Sequence, residues 1–272
     1  ERAPEQFDDA KYSAEKERSV GLGVMGFHSY LQKHSIPLES VMSKAWNKKI
    51  FKHIQEHVDQ ASKDLADERG ACPDAADYGY NERFSNKTAI APTASISIIC
   101  GGASPGVEPV AANSYTHKTL SGSFNVRNRY LVELLEKHGK NTDDVWSGIT
   151  TNQGSVSHLD FLTDLEKDVF KTAFELDQKW IIELSGDRTP YISQAQSINL
   201  FVPADIHKRE LHKIHFDAWK KGLKSLYYCR SKSIQRAENI NDAKSTDVLA
   251  NVYKNKQTKS EEPEYEECLS CQ

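Results

Sequence analysis

Apolar side chains recur every three or four positions along residues 44–69, at Trp46, Ile50, Ile54, Val58, Ala61 and Leu65. That spacing is one face of an amphipathic helix, and Gly70 follows it as a stop signal. The same period predicts helices in four other places. One follows the Gly-rich start of residues 19–34, through Phe27, Tyr30 and Leu31; another runs over 124–139, ended by Gly139. A long one spans 158–185 through Leu162, Leu165, Val169, Ala173, Leu176, Trp180 and Leu184, ended by Gly186. The last covers 206–223, with Asp205 as its N-cap and Gly222 near its end. Two short apolar runs read as strands: residues 197–202 (SINLFV), broken by Pro203, and residues 225–229 (SLYYC). Strand, helix, strand in that order predicts a parallel βαβ unit. Residues 71–87 read as a loop, residues 141–157 as a polar stretch with helix starts at Asn141 and Ser157. The expected class is α/β, with more helix than strand.

The pattern changes at both ends. Residues 1–17 are polar and charged, a surface lead-in to a body spanning 18–236. Residues 237–272 carry few large apolar side chains and five glutamates between Glu261 and Glu267. Such a segment buries too little surface to offset its ordering entropy, so a mobile acidic tail is expected. Composition adds exclusions. A net charge of −4 and a pI near 6.2 do not describe a nucleic-acid-binding surface. No apolar run approaches the roughly 20 residues of a membrane span, and the start lacks a signal-peptide pattern. Five unevenly spread cysteines are not a secreted disulfide framework, so a reducing, cytoplasmic setting is expected.

Four motifs carry candidate chemistry. Gly21-Leu22-Gly23-Val24-Met25-Gly26 fits the GxGxxG of dinucleotide sites, but KYSAEKERS before it is no strand, and close backbone packing accounts for the glycines better. Pro92-Thr93-Ala94-Ser95-Ile96-Ser97 places small hydroxyl residues after an apolar run. It reads equally as an ordinary N-cap or as a helix start whose free N–H groups attract an anion. Tyr227-Tyr228 sits in a short apolar run, where spacing alone gives two half-buried aromatics on opposite faces. Cys268-Leu269-Ser270-Cys271 lacks the two further ligands of a structural zinc site and the folded βαβ setting of a thioredoxin-like site. What remains is a dithiol on an arm of about 30 residues, with a typical span of about 30 Å. No metal site is expected. Cys72, Cys100 and Cys229 read as buried or neutral thiols.

RSVGLGVMGFHSYL, ACP, IAPTASIS–GGASPGVEP, TPYISQAQSINLFV, LKSLYY and the terminal CLSC stand in this order along the chain. The ordered set resembles the C-terminal part of the class I ribonucleoside-diphosphate reductase large subunit, over residues 18–235 and the tail pair. The resemblance implies the C-terminal part of a ten-stranded α/β barrel, helix-rich and with a flexible C-terminal tail. It implies reduction of ribonucleoside diphosphates to deoxyribonucleotides by a radical that a metal-containing small subunit makes and passes inward. Tyr227 and Tyr228 match that family's radical-relay pair. Pro92, Thr93, Ala94, Ser95 and Ile96 match its loop for the substrate phosphates. Cys268 and Cys271 match the tail cysteines that re-reduce the active-site disulfide, themselves served by thioredoxin or glutaredoxin. No cofactor is expected on the chain itself.

The family's Asn-x-Cys-x-Glu motif, which carries the thiyl-radical cysteine, is not in this sequence. The resemblance therefore implies a second partner besides the small subunit: an N-terminal half that completes the barrel, as in a split large subunit, without which the chain is inactive. The small subunit's tail is expected near the helix bearing Leu211, Ile214, Trp219 and Leu223, which ordinary core packing explains equally well. Because the family stacks its tyrosines and a regular strand splays them, the pair is expected at a strand end or irregularity. The competing reading is a non-catalytic remnant that still binds the small subunit.

Overall fold

The computed structural model describes residues 4–119 and 122–232. The expected acidic tail and its CxxC pair lie outside them. The lead-in is helical: a 3-10 turn at Glu5–Phe7 runs into α1 (Asp8–Glu17), a surface helix with no buried residue. Lys16 ties it to Asp77 at 3.2 Å. Asp77 closes α4 (Pro73–Asp77), a short helix started by proline inside the stretch expected to be loop.

α2 (Phe27–Lys33) and α3 (Val41–Arg69) stand where the periodicity put them. Ser40 caps α3 by accepting from the Ser43 N–H, and Gly70 ends it at φ +80°, a conformation that suits a residue without Cβ. The buried stripe of α3 differs from the apolar one. Ser43, Asn47, Phe51, Ser62 and Ala66 are buried, while Trp46, Ile50, Ile54, Val58 and Leu65 flank them half-buried and Ala61 is exposed. The polar members find partners in other elements. Asn47 Nδ2 donates to the Leu184 carbonyl, and Ser62 Oγ accepts from the Arg83 N–H. A buried polar group is tolerable once it is hydrogen-bonded.

Three helical expectations are corrected. Residues 114–127 form a hairpin, β1 (Ser114–Thr119) against β2 (Gly122–Arg127), so the helix expected from 124 begins only with α6 (Arg129–Lys137), capped by Asn128. The polar stretch holds α7 (Asp143–Thr151), whose cap is Thr142 rather than Asn141. The long run over 158–185 is two helices. α8 (Asp164–Val169) starts at a Thr163–Glu166 capping box, not at Ser157, and α9 (Gln178–Arg188) starts at Asp177. Leu165 is exposed as a result. Gly186 lies inside α9 rather than ending it, because a Cβ there would stand 2.9 Å from the Lys221 Cβ.

The parallel βαβ unit is present. β3 (Leu200–Pro203) leads into α10 (Lys208–Lys220), capped by His207 rather than Asp205, and then β4 (Cys229–Lys232), parallel to β3. Both strands start a few residues later than their apolar runs. Further parallel bridges join Leu22 to Thr88 and Ile90 to Gln196. The extended stretches around residues 20–22, 86–90, 194–203 and 227–232 therefore lie side by side and run the same way. Phe27, Leu31, Phe51, Ile90, Val107, Leu184 and Ile198 pack into the main core beside them. A second core of Leu131, Leu135, Trp146, Ile149 and Phe170 joins α6, α7 and α8.

Candidate functional site

The register of the parallel stretches fixes what meets at the site. Leu200 pairs with Cys229, and the Leu200 N–H donates to the Tyr228 carbonyl at 2.9 Å. Continued two residues back, that ladder would place the Tyr228 N–H on the Ile198 carbonyl. The Tyr227 N–H takes that carbonyl instead, at 2.8 Å. The ladder slips by one residue just before β4, which is the strand-end irregularity expected of a stacked pair. The rings of Tyr227 and Tyr228 lie with centroids 4.0 Å apart and planes tilted by 51°. Both are a little over two-fifths exposed.

The slip leaves the Tyr228 N–H without a ladder carbonyl, and the Asn199 side chain supplies the acceptor, Oδ1 at 3.1 Å. Asn199 is itself held twice by Glu108. Its backbone N–H donates to Glu108 Oε1 and its Nδ2 to Oε2, both at 3.0 Å. Asn199 and Glu108 are 2 % and 5 % exposed, so these bonds face little competition from water. Burial raises the Glu108 carboxyl pKa, against the Asn199 donors and the positive charge of Arg230, which act to lower it. The Arg230 guanidinium also lies over the Tyr228 ring, 5.8 Å from its centroid.

Glu108 belongs to the loop that carries the expected phosphate-binding residues. The Ile90–Gln196 bridge joins the stretch leading into this loop to residues 194–203, and on the other side of those residues the Tyr227 N–H bonds the Ile198 carbonyl. Two strand spacings, about 10 Å, thus separate the start of this loop from the tyrosine pair. Thr93 holds φ +53°, an uncommon conformation for a β-branched residue, and caps α5 (Ala94–Ile99) with its backbone. Its Oγ1 is turned back to accept from the Gly106 N–H at 2.8 Å. No side chain caps α5. The first-turn N–H groups, at Ala94, Ser95 and Ile96, have no intrahelical acceptor, and these three residues are exposed. Ser97 is buried, its hydroxyl spent on the Ala94 carbonyl.

Two buried bases brace the loop and its neighbours. His28 Nδ1 accepts from the Val110 N–H at 3.1 Å, and burial depresses the imidazole pKa to about 3, so the ring is neutral. Arg188 donates to Gln196 Oε1, Asn47 Oδ1 and Ser185 Oγ between the rings of Phe27 and Phe51. Burial lowers its pKa to about 9, against the charge of Asp187, and it stays a cation at neutral pH. Sequence reasoning singled out none of Glu108, Asn199, His28, Arg188 or Arg230. The one signal was an acid standing among glycines and prolines in GGASPGVEP.

The family profile for the ribonucleotide reductase barrel domain matches residues 3–83 and 74–229, most of the chain. This chain belongs to the ribonucleotide reductase barrel-domain family. It is 49% identical over 244 residues to the ribonucleoside-diphosphate reductase large subunit of Invertebrate iridescent virus 6, covering 88% of this chain and 25% of that protein. With the large subunit of Invertebrate iridescent virus 3 the identity is 43% over 249 residues, 90% of this chain and 39% of the relative. Among solved structures, the Actinobacillus ureae class Id ribonucleotide reductase alpha subunit superposes with a TM-score of 0.79 at 38% identity, over 87% of this chain and 43% of that one. The chain thus spans between a quarter and about two-fifths of the length of these relatives.

In the reductase barrel domain Gly21 and Gly23 serve close packing. The Leu22–Thr88 bridge runs through this stretch, and a Cβ on Gly23 would stand 2.5 Å from the Ala89 carbonyl oxygen. Cys72 is buried, whereas Cys100, just past the end of α5, and Cys229, at the start of β4, are exposed. Cys268 and Cys271 lie outside the described residues. On α10 and the turn after it, Ile214 and Leu223 pack against Ile182, Leu200 and Ala218. Leu211 is half-buried, and Trp219 is exposed next to Phe216. A cleft of about 430 Å³ between α9 and α10 is lined by Lys179, Ile182, Glu183, Ile214, Asp217 and Lys220 among others. Among the described residues no helix is long and apolar enough to cross a membrane.

Proposed function

We propose that the chain works as part of a ribonucleoside-diphosphate reductase large subunit, with Tyr227 and Tyr228 as its radical relay. The observation that carries this is the ring pair itself, 4.0 Å apart at a slip in a parallel ladder, in a chain of this family. Adjacent residues of a regular strand point to opposite faces, so a slip that brings two phenols together needs a use. Such a pair passes an oxidising equivalent by paired exchange: one phenol gives up an electron and its proton while its neighbour, already a phenoxyl radical, regains both.

The Pro92, Thr93, Ala94, Ser95 and Ile96 loop then holds the substrate diphosphate through first-turn N–H groups and the Ser95 hydroxyl, an arrangement favoured by a free helix start. Thr93 Oγ1 accepts from the Gly106 N–H, which fixes the hydroxyl in the loop while leaving its O–H to donate. Cys268 and Cys271 serve as the tail dithiol that returns electrons from thioredoxin or glutaredoxin. The metal-containing small subunit supplies the radical, and its tail docks along the exposed Phe216 and Trp219 edge of α10. Large-subunit sequence beyond the span matched here, on this polypeptide or another, supplies the thiyl-radical cysteine.

The test is Tyr227→Phe in the assembled enzyme. Deoxyribonucleotide formation is expected to fall to background, with affinity for the small subunit kept within about twofold. A non-catalytic remnant gives no turnover before the substitution either. Full turnover after it refutes the relay.

A further inference from the structure

We infer that Glu108 and Asn199 are positioning residues that keep the rings of Tyr227 and Tyr228 in contact, and that they couple the tyrosine pair to the 91–110 loop. The inference rests on the relay reading above and adds to it the device that holds the pair. At the ladder slip the Tyr228 N–H has lost its in-register backbone acceptor, and among the described residues Asn199 Oδ1 meets it, at 3.1 Å. An asparagine amide is free to turn over, exchanging its oxygen for its NH2. Here it is not free, because Nδ2 donates to Glu108 Oε2 while the Asn199 backbone N–H donates to Oε1. A carboxylate accepts on both oxygens and donates on neither, so it dictates which end of the amide faces Tyr228. Both residues are almost wholly buried, which makes a mismatched donor expensive. Glu108 also stands in the loop that leads from Pro92 through Gly106. A shift of that loop therefore moves Asn199, and with it the backbone on which the two rings stand.

The donor pattern makes a test that simple loss of stability does not imitate. Glu108→Gln places an NH2 against the Asn199 NH2. Relief by turning the asparagine over then points an NH2 at the Tyr228 N–H. Asn199→Asp places one carboxylate oxygen against another. Combining Glu108→Gln with Asn199→Asp restores every match: the new amide donates to one oxygen of the new carboxylate, whose other oxygen accepts from Tyr228, and the Asn199 backbone bond is kept.

Turnover of the assembled enzyme is measured for both single variants, the double variant and Tyr227→Phe, together with the structure around residues 198–230 in each. Each single variant is expected to lose at least about tenfold in turnover, with the tyrosine rings displaced from each other. The double variant is expected to recover to within about threefold of the parent, with the rings back in contact. Singles that keep full turnover and ring geometry, or a double variant no better than the singles, overturn the inference. Tyr227→Phe separates the two claims. If it leaves turnover intact the relay itself fails; if it abolishes turnover while Glu108→Gln changes nothing, only the positioning role fails.

Discussion

His28 makes the acid stability of the loop calculable. It is 1 % exposed, and its Nδ1 accepts from the Val110 N–H. Burial disfavours the charged imidazolium and holds the folded-state pKa at about 3 against an ordinary 6.5. Between those values the unfolded chain binds a proton that the folded chain refuses. The resulting stability is complete above pH 6.5 and is lost as pH falls towards 3, by about 1.4 kcal/mol per pH step. From pH 7 to pH 5 the loss assigned to His28 is about 2 kcal/mol. His28→Asn keeps an acceptor for Val110 close to the Nδ1 position and cannot titrate. Denaturant unfolding of parent and variant at pH 7 and 5 isolates the effect, because carboxyl groups common to both, Glu108 included, cancel in the difference. The parent is expected to lose about 2 kcal/mol more than the variant. Parallel losses in the two proteins, or an imidazole NMR titration near 6.5 for His28, would refute the argument.

Gly23→Ala would set a Cβ 2.5 Å from the Ala89 carbonyl oxygen, backbone that has nowhere to move. The expected cost is about 1–3 kcal/mol, read as a thermal shift of roughly 5 °C. Gly21→Ala meets only the Ala89 Cβ at 3.3 Å, and a larger loss there than at Gly23 contradicts the packing account. Arg188→Met leaves Asn47 Oδ1 and Gln196 Oε1 buried without their donor, an expected loss of about 3 kcal/mol or more in denaturant unfolding. A change under about 0.5 kcal/mol means that the network adds nothing to stability.

The residues that explain themselves locally were legible in the chain. α2, α3 and α10 carry their own period, Gly70 its own stop, and the strand–helix–strand order of residues 197–229 fixed a parallel unit, since a crossover helix forces that direction. The motif order was enough to point to the family that the profile match shows. What the sequence could not reveal depends on partners far along the chain. Residues 124–127 pair as a strand with 114–117, although their own pattern continued a helix. Gly186 reads as a helix end until Lys221 is seen to need its missing Cβ. Asn47 and Ser62 turn inward because Leu184 and Arg83 meet them there. The same holds at the site: Tyr227 and Tyr228 are visible as a pair of letters, but the contact of their rings comes from a one-residue slip against Ile198. Asn199 fills that slip, and Glu108, 91 positions away, orients it. Periodicity records what a residue asks of its neighbours in sequence, whereas a hydrogen bond between distant segments exists only once the fold has closed the loop between them.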